Sequence, residues 1–310
     1  MEDETRRDLR RQINESMSKY NSLFKDEKAI YLGCEIGKKI FRSQIGPGIK
    51  AQSRNYNGII YHTITIKPKV SVEYQWRFDC CRTIVQNTLR DPSVISGVVV
   101  NASFFRITED YKPIGYYKTP SFSSDIKSDH SYLYGGICVK GNQLELVDAY
   151  AKTRNKIYDQ VVTSGPVLLW PGKKPFTDET CETRDAENRY IYKCTHDVGD
   201  QYTQPCSSIV PGTLVHGCQR NPRSAIGEDV EGNIVLIYVE GRGQRGPGAT
   251  FSEMAVLGQK LQLVKMINLD GGNSSQMMWK SEGDECICQL NPEHEFAYPV
   301  GATISFVKTM

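Results

Sequence analysis

An acid followed by two glycines, an asparagine and two serines stands in the stretch VKMINLDGGNSSQMM, from Val264 to Met278. Asp270 ends an apolar run, and Gly271, Gly272, Asn273, Ser274 and Ser275 follow it. Glycines let main-chain N–H groups approach a ligand with no side chain in the way. Consecutive N–H groups in such a turn form a concavity that binds anions, and the serine hydroxyls and asparagine amide add donors. In that setting Asp270 is a candidate acid or base, metal ligand or orienter of sugar hydroxyls. The same Asp-Gly-Gly pattern also makes an ordinary hairpin turn.

Four further side chains have the chemistry to join it. Arg223, in NPRSAIG, carries a fork that can clamp a phosphate through two parallel hydrogen bonds, or form a surface ion pair. Glu253 is a second carboxylate, but Thr250 three residues before it also fits a capping box. Asn101 ends the apolar run VISGVVVNASFF and either bonds a ligand or ties down its own loop. His130, in SDHSYLYGG, is a candidate general acid or base on a loop. Asn101 and Asn273 also begin glycosylation sequons, as does Asn14, and a glycan on Asn273 would block the turn.

The elements that must hold these residues are mostly strands. GIIYHTITIKP alternates from Gly58 to Pro68 as a half-buried strand does, and Val98–Val100 read as a central strand. YGGICVKGNQLELV is a hairpin turning at Gly141-Asn142. VVTSGPVLLW is a strand interrupted at Gly165-Pro166. RSAIGEDVEGNIVLIYVEGR is a second hairpin, with its turn near Glu231 to Asn233. In GATFSEMAVLGQKLQL, Met254, Leu257 and Leu261 share one helical face. VKMINLD and VGATISFVK are further strands. Strands outnumber helices and their order is mixed, which predicts an α+β fold with mixed β-sheets and flanking helices.

Residues 1–28 form a separate predicted element, because Leu9, Ile13, Met17, Tyr20 and Phe24 recur at helical spacing. This amphipathic helix is expected to dock on the body, with a membrane-surface helix or self-association through it as the alternatives. Residues 29–310 are expected to form one domain, with a polar, Cys-rich excursion at about 171–220. A net charge of +2 excludes an argument from global charge to a nucleic-acid polymer. No apolar run approaches the roughly 18 residues needed to span a bilayer. The start of the chain lacks a signal-peptide core, which favours the cytoplasm, whereas ten cysteines favour an oxidising compartment. Cys181, Cys194, Cys206 and Cys218 lack the close pairing usual for zinc, so disulfides or free thiols are expected.

Taken in order, VVVNASFF, VTSGPVLL, NPRSAIGEDVEGNIVLIYVEGR, GATFSEMAVLGQKL and MINLDGGNSSQMM resemble successive blocks of the phosphodiester glycosidase family. The best-known member of that family removes N-acetylglucosamine from a phosphodiester. The resemblance implies polar site positions at Asn101, Arg223, Glu253 and Asp270, with Gly271, Gly272, Ser274 and Ser275 forming the turn. Asn273 stands where the family usually has a third glycine, and Ala102-Ser103 stand where it has a glycine pair. Asparagine tolerates left-handed backbone, but its side chain narrows the pocket.

A sugar joined to phosphate already has a good leaving group. The residues then need mainly to hold the phosphodiester charge and stabilise positive charge on the sugar. Arg223 and the Gly271–Ser275 amides suit the first task, and Asp270 or Glu253 the second. The resemblance thus implies a hydrolase cleaving a sugar-1-phosphate diester bond, with no certain cofactor. Calcium held by acidic loops is an open alternative, without EF-hand spacing. Two other functions use the same residues: a catalytically weak binder of glycans or phospho-ligands, and a phosphodiesterase acting on a nucleotide-type ribosyl-phosphate.

Overall fold

A computed structural model of the chain describes residues 44–68, 73–83, 85–106, 111–126, 134–176, 183–184, 190–193, 203–205, 217, 219–241, 246–283, 287–290 and 299–310. The expected N-terminal helix, His130, Asn14 and six of the ten cysteines lie outside the described residues. So does most of the excursion.

The first strands are β1 (Gln44–Gly46), β2 (Ile49–Tyr56), β3 (Ile59–Ile66), β4 (Tyr74–Thr83) and β5 (Val94–Asn101). Next come β6 (Gly115–Lys118), β7 (Ser123–Ile126), β8 (Tyr134–Lys140), β9 (Gln143–Val147) and β10 (Gln160–Leu169). Within the excursion lie β11 (Thr183–Arg184), β12 (Tyr190–Lys193) and β13 (Thr203–Pro205), which pair as a small sheet. The chain continues through β14 (Arg223–Asp229), β15 (Ile234–Val239) and β16 (Leu263–Asn268). It ends with β17 (Met277–Lys280), β18 (Ile287–Leu290) and β19 (Val300–Thr309).

Two larger sheets pack face to face. One orders β1-β2-β3-β15-β14-β16-β10-β6-β7, with β8 and β9 attached through β10; the other orders β18-β17-β5-β19-β4. Ile64, Leu236, Ile226 and Ile267 from the first meet Val98, Val100, Trp279 and Phe306 from the second in one buried cluster. The outer face of the large sheet is covered by the helix Phe251–Lys260, whose Phe251, Met254, Ala255 and Leu257 pack on Ala225, Ile237 and Met266. The outer face of the smaller sheet carries the short helix Val85–Arg90, through Val85 and Leu89 on Val99, Met278 and Val307.

The fold is α+β, with few helices. Its strand directions correct one expectation: the sheets are not mixed, because every described ladder is antiparallel. Parallel neighbours need a long crossover, usually through a helix. Here each longer helix instead carries the chain past an intervening strand. The helix Phe251–Lys260 passes from β15 over β14 to β16, and Val85–Arg90 passes from β4 over β19 to β5.

A second correction concerns β3, expected to be half-buried. Both of its faces are covered, and even His62 and Thr63 are buried. The large sheet has a core on each side, so alternation in GIIYHTITIKP marks chemistry rather than exposure. The predicted turns are present, with Lys140 facing Gln143 across the Gly141-Asn142 hairpin and Glu228 facing Ile234 across the second. The register of β10 slips between Thr163 and Pro166, where the sequence placed an interruption.

Candidate active site

The Asp270 turn is where the chain crosses from one sheet to the other. Leu269 extends the β16 ladder by donating its N–H to Ser224 O at 2.9 Å, and Asp270 N then donates to Ala102 O at 2.8 Å, beyond the end of β5. Asn101, fully buried, pins this crossing. Its Nδ2 donates to Asp270 O at 2.8 Å, and its Oδ1 accepts from Ser224 Oγ at 2.7 Å and Gln276 N at 2.9 Å. One amide therefore ties together both sheets and both ends of the turn.

The turn itself is a short 3-10 segment, Gly272–Ser274, entered through extended backbone at Gly271. Gly272 adopts φ 62°, the left-handed region that glycine occupies without steric cost. Its amides do not form the expected open cradle. Gly271 N donates to Asp270 Oδ1 at 2.8 Å. Gly272 N donates to Pro222 O, Ser274 N to Gly271 O and Ser275 N to Gly272 O, at 2.9, 3.3 and 3.1 Å. Four amides of the segment are thus engaged by protein acceptors, two of them carbonyls of the turn itself.

Arg223 supplies the charge. It starts β14, is buried, and lies with its guanidinium carbon 4.5 Å from the centroid of the Phe251 ring. Nε donates to Ala249 O at 2.9 Å and Nη2 to Gln219 O at 2.8 Å. These contacts fix the plane of the fork and aim Nη1 at the turn. A Cβ on Gly271 would stand 3.1 Å from Nη1, so glycine is what permits this approach.

Asp270 is half-buried. Removal from water pushes its carboxyl up from 3.8 to about 7; the Ser274 hydroxyl, the Gly271 amide and the Arg223 charge oppose that rise. Burial dominates because a carboxylate loses more hydration than these partners return. A carboxyl titrating near neutrality is able both to give and to take a proton. Ser103 Oγ, Ser275 Oγ and Thr303 Oγ1 are buried with no hydrogen-bond partner among the described residues.

Glu253 is placed differently from the sequence expectation of a catalytic carboxylate. Its Oε2 accepts from Thr250 N at 2.9 Å, Thr250 Oγ1 accepts from Glu253 N at 3.1 Å, and Arg220 Nη2 donates to Oε1. The capping box and an ion pair engage both oxygens, at the end of the helix on which Arg223 stacks. Asn273 lies in the turn, half-buried.

One constellation was missed from sequence. His62 Nε2 and Glu240 Oε1 lie 2.7 Å apart, both residues buried, and His62 Nδ1 meets Ser53 Oγ. Ser53, His62, Tyr238 and Ser224 stand in register across β2, β3, β15 and β14, leading toward Asn101. Its signal was the histidine inside GIIYHTITIKP and the acid closing VLIYVEGR. Among the described residues, no group of three or more His, Cys, Asp or Glu is placed to hold a metal ion. No helix among them is long and apolar enough to cross a membrane.

Asp270, its carboxyl pushed up by burial, and the anchored Arg223 stand together where the chain crosses between two antiparallel sheets. The phosphodiester glycosidase family model matches residues 96–305, about two thirds of the chain, and the protein belongs to that family. Protein 209R of Invertebrate iridescent virus 6, itself uncharacterised, is 24% identical over 186 residues, 52% of this chain. The chain spans only 16% of that relative's length.

Two solved structures share the fold. The catalytic domain of zebrafish N-acetylglucosamine-1-phosphodiester alpha-N-acetylglucosaminidase superposes with a TM-score of 0.53 at 13% identity, covering 87% of this chain and 86% of that one. A hypothetical protein from Synechocystis gives 0.50 at 17% identity, covering 84% of this chain and 62% of that one.

Proposed function

We propose that the protein is a hydrolase cleaving a sugar-1-phosphate diester. The single observation that carries this is the Asp270 carboxyl, raised to about 7 and set against the buried Arg223 fork. Arg223 would meet the phosphate through Nη1, the nitrogen its two backbone contacts aim at the turn, in a charge-assisted hydrogen bond. Asp270 would act on the sugar side, as proton donor or base, or as the charge that stabilises the developing cation. The Ser274 hydroxyl would orient it. Asn101 and Glu253 would act as positioning residues, the first holding the turn and the second the helix end beneath Arg223. The zebrafish enzyme of the same fold is named for an N-acetylglucosamine phosphodiester, which supports a linkage of that class as the proposed substrate.

Binding without turnover is the second function the site supports. It is favoured by the engagement of both Glu253 oxygens in a capping box and an ion pair, which leaves Asp270 alone of the two proposed carboxyls to act on a ligand, where glycosidases ordinarily use two. Incubation of the full chain with a panel of sugar-1-phosphodiesters, nucleotide sugars included, with released sugar read by mass spectrometry, separates the two. Release of free sugar supports the hydrolase. Saturable binding of a panel member without release supports the binder.

A further inference from the structure

Cys80 and Cys81 are adjacent in β4, and their Sγ atoms lie 3.3 Å apart. Successive side chains of a regular strand point to opposite faces, so two neighbouring thiols in contact require a break in the strand. That break is present. Cys81 adopts φ 64°, in the left-handed region. The ladder to β19 slips at the same place, with Cys80 facing Ala302 but Thr83 facing Val300. A bulge of this kind re-aims a side chain, and here it turns the two sulfurs together.

The two thiols have unequal surroundings. Both cysteines are free and half-buried. Cys80 leans on the inter-sheet core and receives a hydrogen bond from the Tyr117 hydroxyl. Burial first, then its contact with Cys81, pushes the Cys80 thiol up to about 12.

We propose that Cys80 and Cys81 form a thiol–disulfide exchange site that reacts with a low-molecular-weight disulfide and closes reversibly to a bond between the two sulfurs. Cys81, as thiolate, attacks one sulfur of the small disulfide. The S–S bond of that molecule breaks, and its other half leaves as a thiol carrying the proton Cys81 has lost. Cys80 then attacks the Cys81 sulfur of the mixed disulfide, and the second thiol leaves with the Cys80 proton. The protein pair is oxidised by two electrons, and one small disulfide is reduced to two thiols. Cys80, packed against the inter-sheet core, is the resolving thiol, and in each step the thiolate is the nucleophile.

Closing the bond moves the sulfurs from 3.3 Å to roughly 2.05 Å. Adjacent Cα atoms are about 3.8 Å apart, below the ~4.4 Å lower end of ordinary disulfides. The ring is therefore tight, and a dithiol reopens it readily. Exchange at this pair is independent of hydrolysis at Asp270.

The native full chain, reduced and freed of reductant, is incubated with oxidised glutathione, quenched with acid, alkylated in denaturant and digested with trypsin. Cleavage after Arg77 and Arg82 releases Phe78–Arg82, which holds only these two cysteines. The expected peptide lacks two hydrogens and both alkyl groups, and gains both alkyl groups when dithiothreitol precedes alkylation. Cys80→Ser, checked for native far-UV circular dichroism, is expected to keep glutathione on Cys81. Should that variant not fold, the wild-type peptide alone decides. A wild-type peptide that is doubly alkylated, that retains glutathione, or that is joined to another cysteine would overturn the proposal.

Discussion

Asn101 carries the sharpest consequence of the fold. It is fully buried and makes three hydrogen bonds, to Asp270 O, from Ser224 Oγ and from Gln276 N, at 2.7 to 2.9 Å. Asn101→Ala strands all three partners in the region between the sheets. A buried group left unpaired costs about 1–3 kcal/mol. The Ser224 hydroxyl relieves part of its share by rotating. The expected loss is therefore about 3–6 kcal/mol, a large part of the ~5–15 kcal/mol that holds a domain together. Urea unfolding of wild type, Asn101→Ala, Ser224→Ala and the double variant reads this directly. Ser224→Ala should cost about 1 kcal/mol alone and close to nothing once Asn101 is gone, because its partner has already been removed. An Asn101→Ala loss below about 1 kcal/mol, or strictly additive single effects, would refute the three-way tie.

Three further outcomes follow from the site. The Asp270 carboxyl rises from 3.8 to about 7 on folding, so the folded chain holds a proton that the unfolded chain releases. Its stabilising contribution is complete below about pH 4 and is lost as pH rises through about 7. At about 1.36 kcal/mol per unit, the difference in urea stability between wild type and Asp270→Asn should change by about 4 kcal/mol across that window; a difference independent of pH contradicts this. Glu253→Gln should lower stability by roughly 1 kcal/mol through the weakened capping box. It should leave turnover within a few-fold of wild type, whereas a hundredfold fall in kcat would place Glu253 in the chemistry. Arg223→Lys loses the fork geometry that Ala249 O, Gln219 O and the Phe251 ring support. It should raise KM or lower kcat/KM for a phosphodiester about 10- to 100-fold, measured by initial rates, and an unchanged KM and kcat/KM would remove Arg223 from phosphate binding.

Much of the frame was legible because local chemistry and tertiary contacts agreed. The Thr250/Glu253 box caps the helix it announced, and Gly141-Asn142 turns the hairpin it predicts. The roles of the polar residues were less legible, because sequence shows a side chain's capacity and not its partners. Asn101 could face a ligand or its own loop, and only the meeting of β5, β14 and the turn decides that its amide is engaged. The glycine-rich turn suggested free amides, yet four of them meet Asp270 Oδ1, Pro222 O, Gly271 O and Gly272 O. Strand direction was not legible in the mixed order of elements, because pairing depends on which strand each helix passes over. His62 and Glu240 lie 178 positions apart, and no local pattern pairs them.

The most direct measurement sets wild type and Asp270→Asn side by side with the sugar-1-phosphodiester panel, following sugar release by mass spectrometry and binding by calorimetry. The substitution keeps the shape of the side chain and removes its titration. Asp270 as the reacting carboxyl predicts that both proteins bind the same phosphodiester and that only the wild type releases sugar. Equal release by both proteins, or binding by both with release by neither, would contradict it.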